Sequence, residues 1–168
     1  MISFQSLYDE HKNMVYNLCL NYLLQAEDAE EATQDVFVKV FDKLKEFRSE
    51  SNIKTWIYRI TINHCLDVLR KRKRKNSVFS FFTKTTPDKV EFNHPGIVLE
   101  NREALESLMK TIHTLPNQQI TVVLLKYIED HSIKEIAEIL ESSEKAVESL
   151  LSRARKNLKN KIDVKAKD

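Results

Sequence analysis

Glycine, proline and cysteine are scarce in this chain. Its 168 residues include one glycine, three prolines and two cysteines. Because glycine and proline are the residues that helix interiors tolerate least, their scarcity favours a mostly helical protein, and the 31% of charged residues favours a soluble, intracellular one. Cys19 and Cys65 each lie among apolar residues in a helical pattern, which is typical of reduced packing residues rather than of a disulfide.

Several kinds of segment and site are also missing. No apolar run reaches about 18 residues and no charged-then-apolar leader opens the chain, so we expect no membrane insertion, no secretion and a cytoplasmic location. The five histidines complete no metal-ligand spacing. Because there is also no phosphate-binding glycine loop, Ser/His/Asp set or paired-carboxylate site, we expect no metal, cofactor, small-molecule substrate or catalysis.

Charge is sorted along the chain, although the net charge is only +2. Residues 1–50 carry 5 basic and 10 acidic side chains, whereas residues 51–90 carry 10 basic and 2 acidic ones. An acidic block beside a basic block indicates two kinds of partner, and basic runs near helices commonly contact nucleic-acid phosphates.

The first two predicted helices pack on each other and leave one unusual outer edge. Apolar residues recur at helical steps from Phe4 to Tyr22, and a second helix runs from about Glu27 to Glu46. The inner side of the second helix is predicted to comprise Ala32, Val36, Phe37, Val40, Phe41 and Leu44. Its opposite edge carries the acidic stripe, which we define as Asp28, Glu31, Asp35, Val38 and Asp42. The stripe is either a solvated face or a docking surface for a basic helical partner, with Val38 as its apolar contact.

A third helix, predicted from about Ile53 to Lys75, is apolar around most of its circumference and ends in six consecutive basic residues. Its narrow polar side consists of Trp56, Arg59, Asn63, Asp67, Arg70 and Arg74. An aromatic ring, an amide and arginines along one stripe suit single-stranded or melting DNA, through stacking, edge contacts and phosphate neutralisation. Alternatively, Trp56 is a core residue and the basic run is a localisation signal or a solubilising helix end.

The stretch from Ser132 to Lys159 predicts a helix-turn-helix. Ser132 and Glu135 have capping-box spacing, and Ser143 is placed to cap a second helix. The inner stripe of that helix is Val147, Leu150, Leu151, Ala154 and Leu158. Its outer side, which we call the groove face, carries Lys145, Ser149, Ser152, Arg153 and Lys156. These groups can contact phosphates and base edges, although an ordinary solvated face on a helical hairpin is the alternative.

Three motifs in this order resemble a known family. They read AEDAEEATQDVFVKVFDKLKEF, then NIKTWIYRITINHCLDVLRKRKRK, then LPNQQITVVLLKYIEDHSIKEIAEILESSEKAVESLLSRARKNLKN. Together they resemble a bacterial sigma factor of the extracytoplasmic-function (ECF) group of the sigma-70 family. The resemblance implies a protein that binds core RNA polymerase, opens the −10 promoter element and reads the −35 element as duplex. It also implies an anti-sigma factor as a partner.

The resemblance also implies roles for individual residues. The residues implied to dock onto polymerase are Asp28, Glu31, Gln34, Asp35 and Val38. The loop from Phe47 to Asn52 captures a flipped −10 base, and the −10 contacts are Phe47, Arg48, Ser49, Asn52, Trp56, Arg59, Asn63, Arg70 and Arg74. The residues implied to contact the −35 duplex are Lys145, Ser149, Ser152, Arg153, Arg155 and Lys156.

Two residues depart from the family pattern. Glu148 stands where many members carry a basic residue, and a glutamate at the groove accepts from a cytosine amino group but repels phosphate. Glu141 stands where the turn usually has glycine, so we expect strain there if the turn needs a positive φ.

The sequence as a whole predicts an all-α protein of two small helical domains. An N-terminal helical bundle spans residues 1–75, a flexible linker spans 76–96, and a C-terminal helix-turn-helix bundle spans 97–168. A stand-alone helix-turn-helix regulator that binds duplex operator DNA is the alternative function, but it leaves the acidic stripe and the third helix without a role. A nuclease would need clustered carboxylates for metal, whereas the stripe is a line of carboxylates facing outward.

Overall fold

The computed structural model describes residues 3–47, 52–79 and 102–165, all of which are helical or in short connections, with no strand. The chain divides into two compact units, Met1–His94 and Pro95–Asp168. Among the described residues, none of the helices is both long and apolar enough to cross a membrane.

The first unit is built from three helices: α1 (Phe4–Leu23), α2 (Ala26–Lys43) and α3 (Ile53–Phe79). A short 3₁₀ turn, Leu44–Glu46, follows α2. Leu24 ends α1 in the left-handed region, at φ 62°, where its N–H donates to Leu20 O. This sharp stop lets α2 begin two residues later and pack against α1.

The core of this unit lies where α1, α2 and α3 meet. It includes the fully buried residues Val15, Leu18 and Tyr22 of α1, Val36 and Val40 of α2, and Ile57 of α3. The thiols of Cys19 and Cys65 are also buried here, with their Sγ atoms 3.7 Å apart. The contact with Cys19, together with burial, raises the pKa of the Cys65 thiol well above its ordinary value, so it behaves as a packing residue.

The second unit contains α4 (Arg102–Ile112), α5 (Asn117–Val123), α6 (Ile133–Ile139) and α7 (Glu144–Lys165). Helix α5 widens at its end into a π-helical segment, Leu124–Ile128. Within that segment Glu129 N–H donates to Leu124 O, five residues back. The buried side chains Leu125, Ile136, Val147, Leu151 and Ala154 form the core against which α6 and α7 pack.

The structure corrects one prediction about the core. Phe41 was placed on the inner side of α2, but it is 59% exposed. Its ring makes an edge-to-face contact with Phe4, the first residue of α1, with the ring centroids 5.2 Å apart, so Phe41 lies at the end of the α1–α2 contact. Helix α3 also extends beyond the predicted Lys75 to Phe79, so its last turn occupies the first four residues assigned to the linker.

Candidate functional site

The acidic stripe runs along the solvent side of α2. Glu31, Gln34, Asp35 and Asp42 are exposed, and Val38 is 59% exposed between two of these carboxylates. Asp28 differs from the rest because Arg72 of α3 holds its carboxylate at 2.6 Å. The same guanidinium donates to Leu23 O at the end of α1. Arg72, one of the six consecutive basic residues of α3, therefore connects the three helices instead of facing outward.

Asp35 also meets α3. Its Oδ2 lies 3.5 Å from Nε2 of His64, and the other ring nitrogen of His64, Nδ1, lies 2.8 Å from Nζ of Lys39. Burial and the nearby Lys39 charge lower the pKa of His64 below its ordinary value. The imidazole beneath the centre of the stripe is therefore neutral at physiological pH.

The stripe continues into an apolar patch that the sequence pattern missed. Phe41 lies one turn beyond Val38, and both are exposed on α2. The rings of Phe4, Tyr8 and Phe37 support the patch through edge-to-face contacts. Periodicity alone assigns Phe41 to the core side, and only the position at which α1 begins could have shown otherwise.

Two residues predicted for −10 DNA come together at the start of α3. The rings of Phe47 and Trp56 are 5.1 Å apart and tilted by 46°, and both side chains are half-buried. Asn52 caps the helix, because its Oδ1 accepts the N–H of Lys54. Arg48 and Ser49, which belong to the same predicted loop, lie outside the described residues.

The polar side of α3 is exposed as the sequence predicts. Asn63, Arg70 and Arg74 face solvent, and Arg59 is half-buried. Arg70 forms an ion pair with Asp67 one turn earlier, at 3.2 Å, with both side chains more than half exposed. Such a pair contributes little to stability, so Arg70 can leave it to contact a phosphate.

Both predicted caps of the helix-turn-helix are confirmed. The Ser132 hydroxyl accepts the N–H of Glu135, and the Glu135 carboxylate accepts the N–H of Ser132 at 2.7 Å. Ser143 Oγ accepts the N–H of Ala146 at the start of α7. Glu141, in the turn, has φ 51°, so the left-handed conformation expected at this position is present.

The second helix of this motif, α7, presents the predicted groove face to solvent. Its exposed side chains are Lys145, Ser149, Ser152, Arg153, Arg155 and Lys156. Val147, Leu151 and Ala154 are fully buried on the other side. Glu148 is exposed between Lys145 and Ser152, so a carboxylate stands within this basic and hydroxyl-rich surface.

Comparison with known proteins decides the family. Residues 7–75 match the family model described as Sigma-70 region 2, and residues 105–158 match Sigma-70, region 4. The RNA polymerase sigma factor YlaC of Bacillus subtilis is 30% identical over 161 residues, which cover 95% of this chain and 92% of that protein. The ECF RNA polymerase sigma factor SigW of the same organism is 27% identical over 95% of this chain and 89% of its own length.

The chain belongs to the ECF group of the sigma-70 family. As a sigma factor, it directs promoter-specific transcription initiation by RNA polymerase. The region 2 match spans α1 to the basic end of α3, and the region 4 match spans the helix-turn-helix. None of these comparisons supports a stand-alone helix-turn-helix regulator. Sigma factors in general are not catalytic enzymes.

Solved structures share the fold of this sigma factor. The sigma factor RpoE from Bartonella quintana, solved with the anti-sigma factor NepR, aligns with a TM-score of 0.69 at 20% identity, covering 96% of this chain and 97% of that one. CnrH, solved with the cytosolic domain of CnrY, aligns with a TM-score of 0.66 at 23% identity, covering 96% and 88%.

Proposed function

We propose that three surfaces of this sigma factor divide the work of initiation. The acidic stripe on α2, with Gln34 beside it, docks onto core RNA polymerase. The start and polar side of α3 hold the melted −10 strand, and the groove face of α7 reads the −35 element as duplex. The observation that carries this division is the difference in charge between an exposed acidic edge on α2 and the basic sides of α3 and α7, with the first two surfaces inside the region 2 match and the third inside the region 4 match.

Docking combines charge with a small apolar contact. Asp35 and Val38 are adjacent and exposed at the middle of α2, and Phe41 extends the apolar part. Carboxylates steer a basic partner into register, whereas burial of Val38 and Phe41 supplies non-directional affinity. Asp28 contributes less directly, because Arg72 already neutralises it.

Promoter opening requires exchange of base stacking for protein contacts. Unstacking and unpairing a base costs a few kcal/mol, and stacking on an aromatic ring returns about 1–3 kcal/mol per base. The Phe47–Trp56 ring pair supplies such a platform, with Asn63 for base edges and Arg70 and Arg74 for phosphates. No covalent step is required of this chain, so we infer no catalytic residue.

Reading of the −35 element is assigned to α7 because an α-helix fits the major groove. Arg153 and Arg155 suit bidentate contacts to guanine or phosphate. Ser149 and Ser152 can hydrogen-bond to base edges or to phosphates. Glu148 favours a cytosine amino group at one position and disfavours close phosphates, so we infer a −35 sequence with a cytosine facing Glu148.

Regulation and location follow from the same proposal. RpoE is solved with the anti-sigma factor NepR, and CnrH is solved with the cytosolic domain of CnrY. We infer that an anti-sigma factor likewise covers surfaces of this chain, which acts in the cytoplasm where RNA polymerase transcribes.

The decisive experiment is run-off transcription with purified core polymerase, on a promoter first selected with the reconstituted holoenzyme. If α3 acts in opening, Trp56→Ala and the more exposed Asn63→Ala should lower output on duplex template. Both should recover on a template with a premelted −10 region. Equal defects on the two templates would contradict the −10 assignment. No start-site-directed transcript from the wild-type chain would contradict the proposal as a whole.

A further inference from the structure

His64 is a buried polar residue for which the assigned surfaces give no role. It is 8% exposed, and its Nε2 atom has no hydrogen-bond partner among the described residues. Oδ2 of Asp35 lies 3.5 Å from Nε2. A buried polar atom without a hydrogen bond lowers the stability of the fold, and this one lies beside Asp35 at the middle of the proposed docking surface.

Lys39 determines which tautomer His64 adopts. A lysine ammonium group only donates, so the Nδ1 atom 2.8 Å from Lys39 Nζ must accept. The ring proton of the neutral imidazole is therefore on Nε2 and faces Asp35. The charged groups that act on the imidazole are Lys39 and Asp35 from α2, and Asp67 and Lys71 from α3. Burial and Lys39 lower its pKa and keep it neutral.

The imidazole also lines a cleft between α2 and α3 of about 320 Å³. One wall carries the stripe carboxylates Asp28, Glu31 and Asp35, and the other carries Lys71, Arg72 and Lys75. The Asp35 side chain is 56% exposed, so one part of its carboxylate faces His64 and the rest is accessible to a partner. His64 thus stands directly behind the group that meets the polymerase.

We propose that His64 is a positioning residue for polymerase docking: its Nε2–H orients the Asp35 carboxylate, and Lys39 fixes the tautomer that makes this possible. The inference rests on the proposed docking role of Asp35. An exposed carboxylate on a helix samples several rotamers, and holding it in one before association lowers the entropy lost on binding. A small movement of the exposed Asp35 side chain shortens the 3.5 Å separation to a hydrogen bond in the free protein, before the partner arrives.

The test is a double-mutant cycle on the affinity of the full chain for core RNA polymerase, with wild type, Asp35→Ala, His64→Leu and the double variant. If His64 acts through Asp35, His64→Leu weakens binding roughly three- to tenfold in the wild-type background, the effect of one hydrogen bond. It should have little effect once Asp35 is alanine, which has no oxygen to accept from Nε2–H. His64→Gln should restore most of the affinity, because its amide can accept from Lys39 and donate to Asp35.

A matched control is His11→Leu, the same change at a second buried histidine of this unit, which lies on α1 beside Glu10. It should leave the affinity for polymerase unchanged when compared at equal folded fraction. A purely structural role for His64 predicts that His64→Leu weakens binding equally in both Asp35 backgrounds, without rescue by glutamine, and that result would overturn the inference.

A spectroscopic readout completes the test. In ¹⁵N NMR of the imidazole, the wild-type chain should show the proton on Nε2, and Lys39→Met should shift the population toward the other tautomer. Observation of the Nδ1–H tautomer in the wild type would also overturn the inference. If Asp35→Ala itself leaves the affinity unchanged, the docking assignment fails, and the positioning role fails with it. If only Asp35→Ala weakens binding, the positioning role alone fails.

Discussion

At the scale of single residues, Glu141 lies in the left-handed region in the turn between α6 and α7, at φ 51°, where a residue with a Cβ atom is strained. The absence of glycine from this turn predicts that strain. Nothing in the local pattern predicted that Arg72 would bridge Asp28 and Leu23, because that contact joins three helices. Residue roles that depend on neighbours along the chain are readable, and those that depend on tertiary neighbours are not.

Glu141→Gly should therefore stabilise the C-terminal unit. Relief of a left-handed conformation is worth about 1–2 kcal/mol, whereas the extra unfolded-state entropy of glycine costs about 0.5–1 kcal/mol. The expected gain in the free energy of unfolding is about 0.5–1 kcal/mol by chemical denaturation. Glu141→Ala is the control, since alanine has the same steric penalty and should give no gain. Equal stabilities for glycine and alanine would argue against strain at this turn.

A second residue-scale prediction concerns Arg153. Its side chain is exposed on the groove face, where its Nε lies 3.4 Å from Ser149 O in the absence of DNA. If it makes a bidentate base contact, Arg153→Ala should weaken −35-dependent initiation by about 1–3 kcal/mol and relax specificity at one base pair. Run-off transcription on single-substitution −35 templates measures both effects. Unchanged output and unchanged preference would remove Arg153 from the reading surface.

At the scale of elements, the starts of α6 and α7 were the most predictable features. The capping box before α6 and the serine before α7 are local hydrogen-bond patterns, so spacing alone located both helices. The exposed edge of α2 was predictable from the helical period of its polar residues. The π-helical segment and the exposure of Phe41 were not, since one depends on a local insertion and the other on where α1 begins.

The capping box predicts a pH dependence for α6. Hydrogen bonds from the backbone and side chain of Ser132 lower the pKa of Glu135 below its ordinary value. Because the folded pKa is depressed, this stabilisation is present above the ordinary glutamate pKa and is lost as pH falls through the folded value. Ser132→Ala should raise the Glu135 pKa in an NMR titration and lower the Tm of the unit. Ser143→Ala, which removes the other cap, should leave the Glu135 pKa unchanged.

The acidic stripe gives the second prediction for an element. Asp35→Lys places a cation at the centre of a surface proposed to meet a basic partner, so binding to core polymerase should weaken through like-charge repulsion. Co-purification and a competition assay against the wild-type chain measure the loss. The control is Asp9→Lys on α1, an exposed carboxylate outside the stripe. Retention of full polymerase affinity by Asp35→Lys would contradict docking through α2.

At the scale of the whole molecule, the surface proposed to bind polymerase and the surface proposed to read the −35 element belong to different compact units. Asp35 belongs to the unit Met1–His94, and Arg153 belongs to Pro95–Asp168. Free energies of substitution at sites without shared partners add within about 0.3–0.5 kcal/mol. For the double variant Asp35→Lys/Arg153→Ala, the loss in free energy of initiation should therefore equal the sum of the two single losses. The measurement is made at a subsaturating concentration of the sigma factor. A large departure from additivity would mean that the two surfaces are coupled.

The wide turn at Leu124–Ile128 has a consequence for how region 4 sequences are aligned. A hydrogen bond that spans five residues accommodates one residue more than an α-turn does, which rotates the point where the chain leaves this helix by about 100°. Tyr127 is 53% exposed within this segment, and Lys126 reaches forward to His131 O. In a homologue that lacked this additional residue, the chain would enter the connection before α6 in a different direction, so a gap placed here in an alignment changes the geometry of the motif as well as its length.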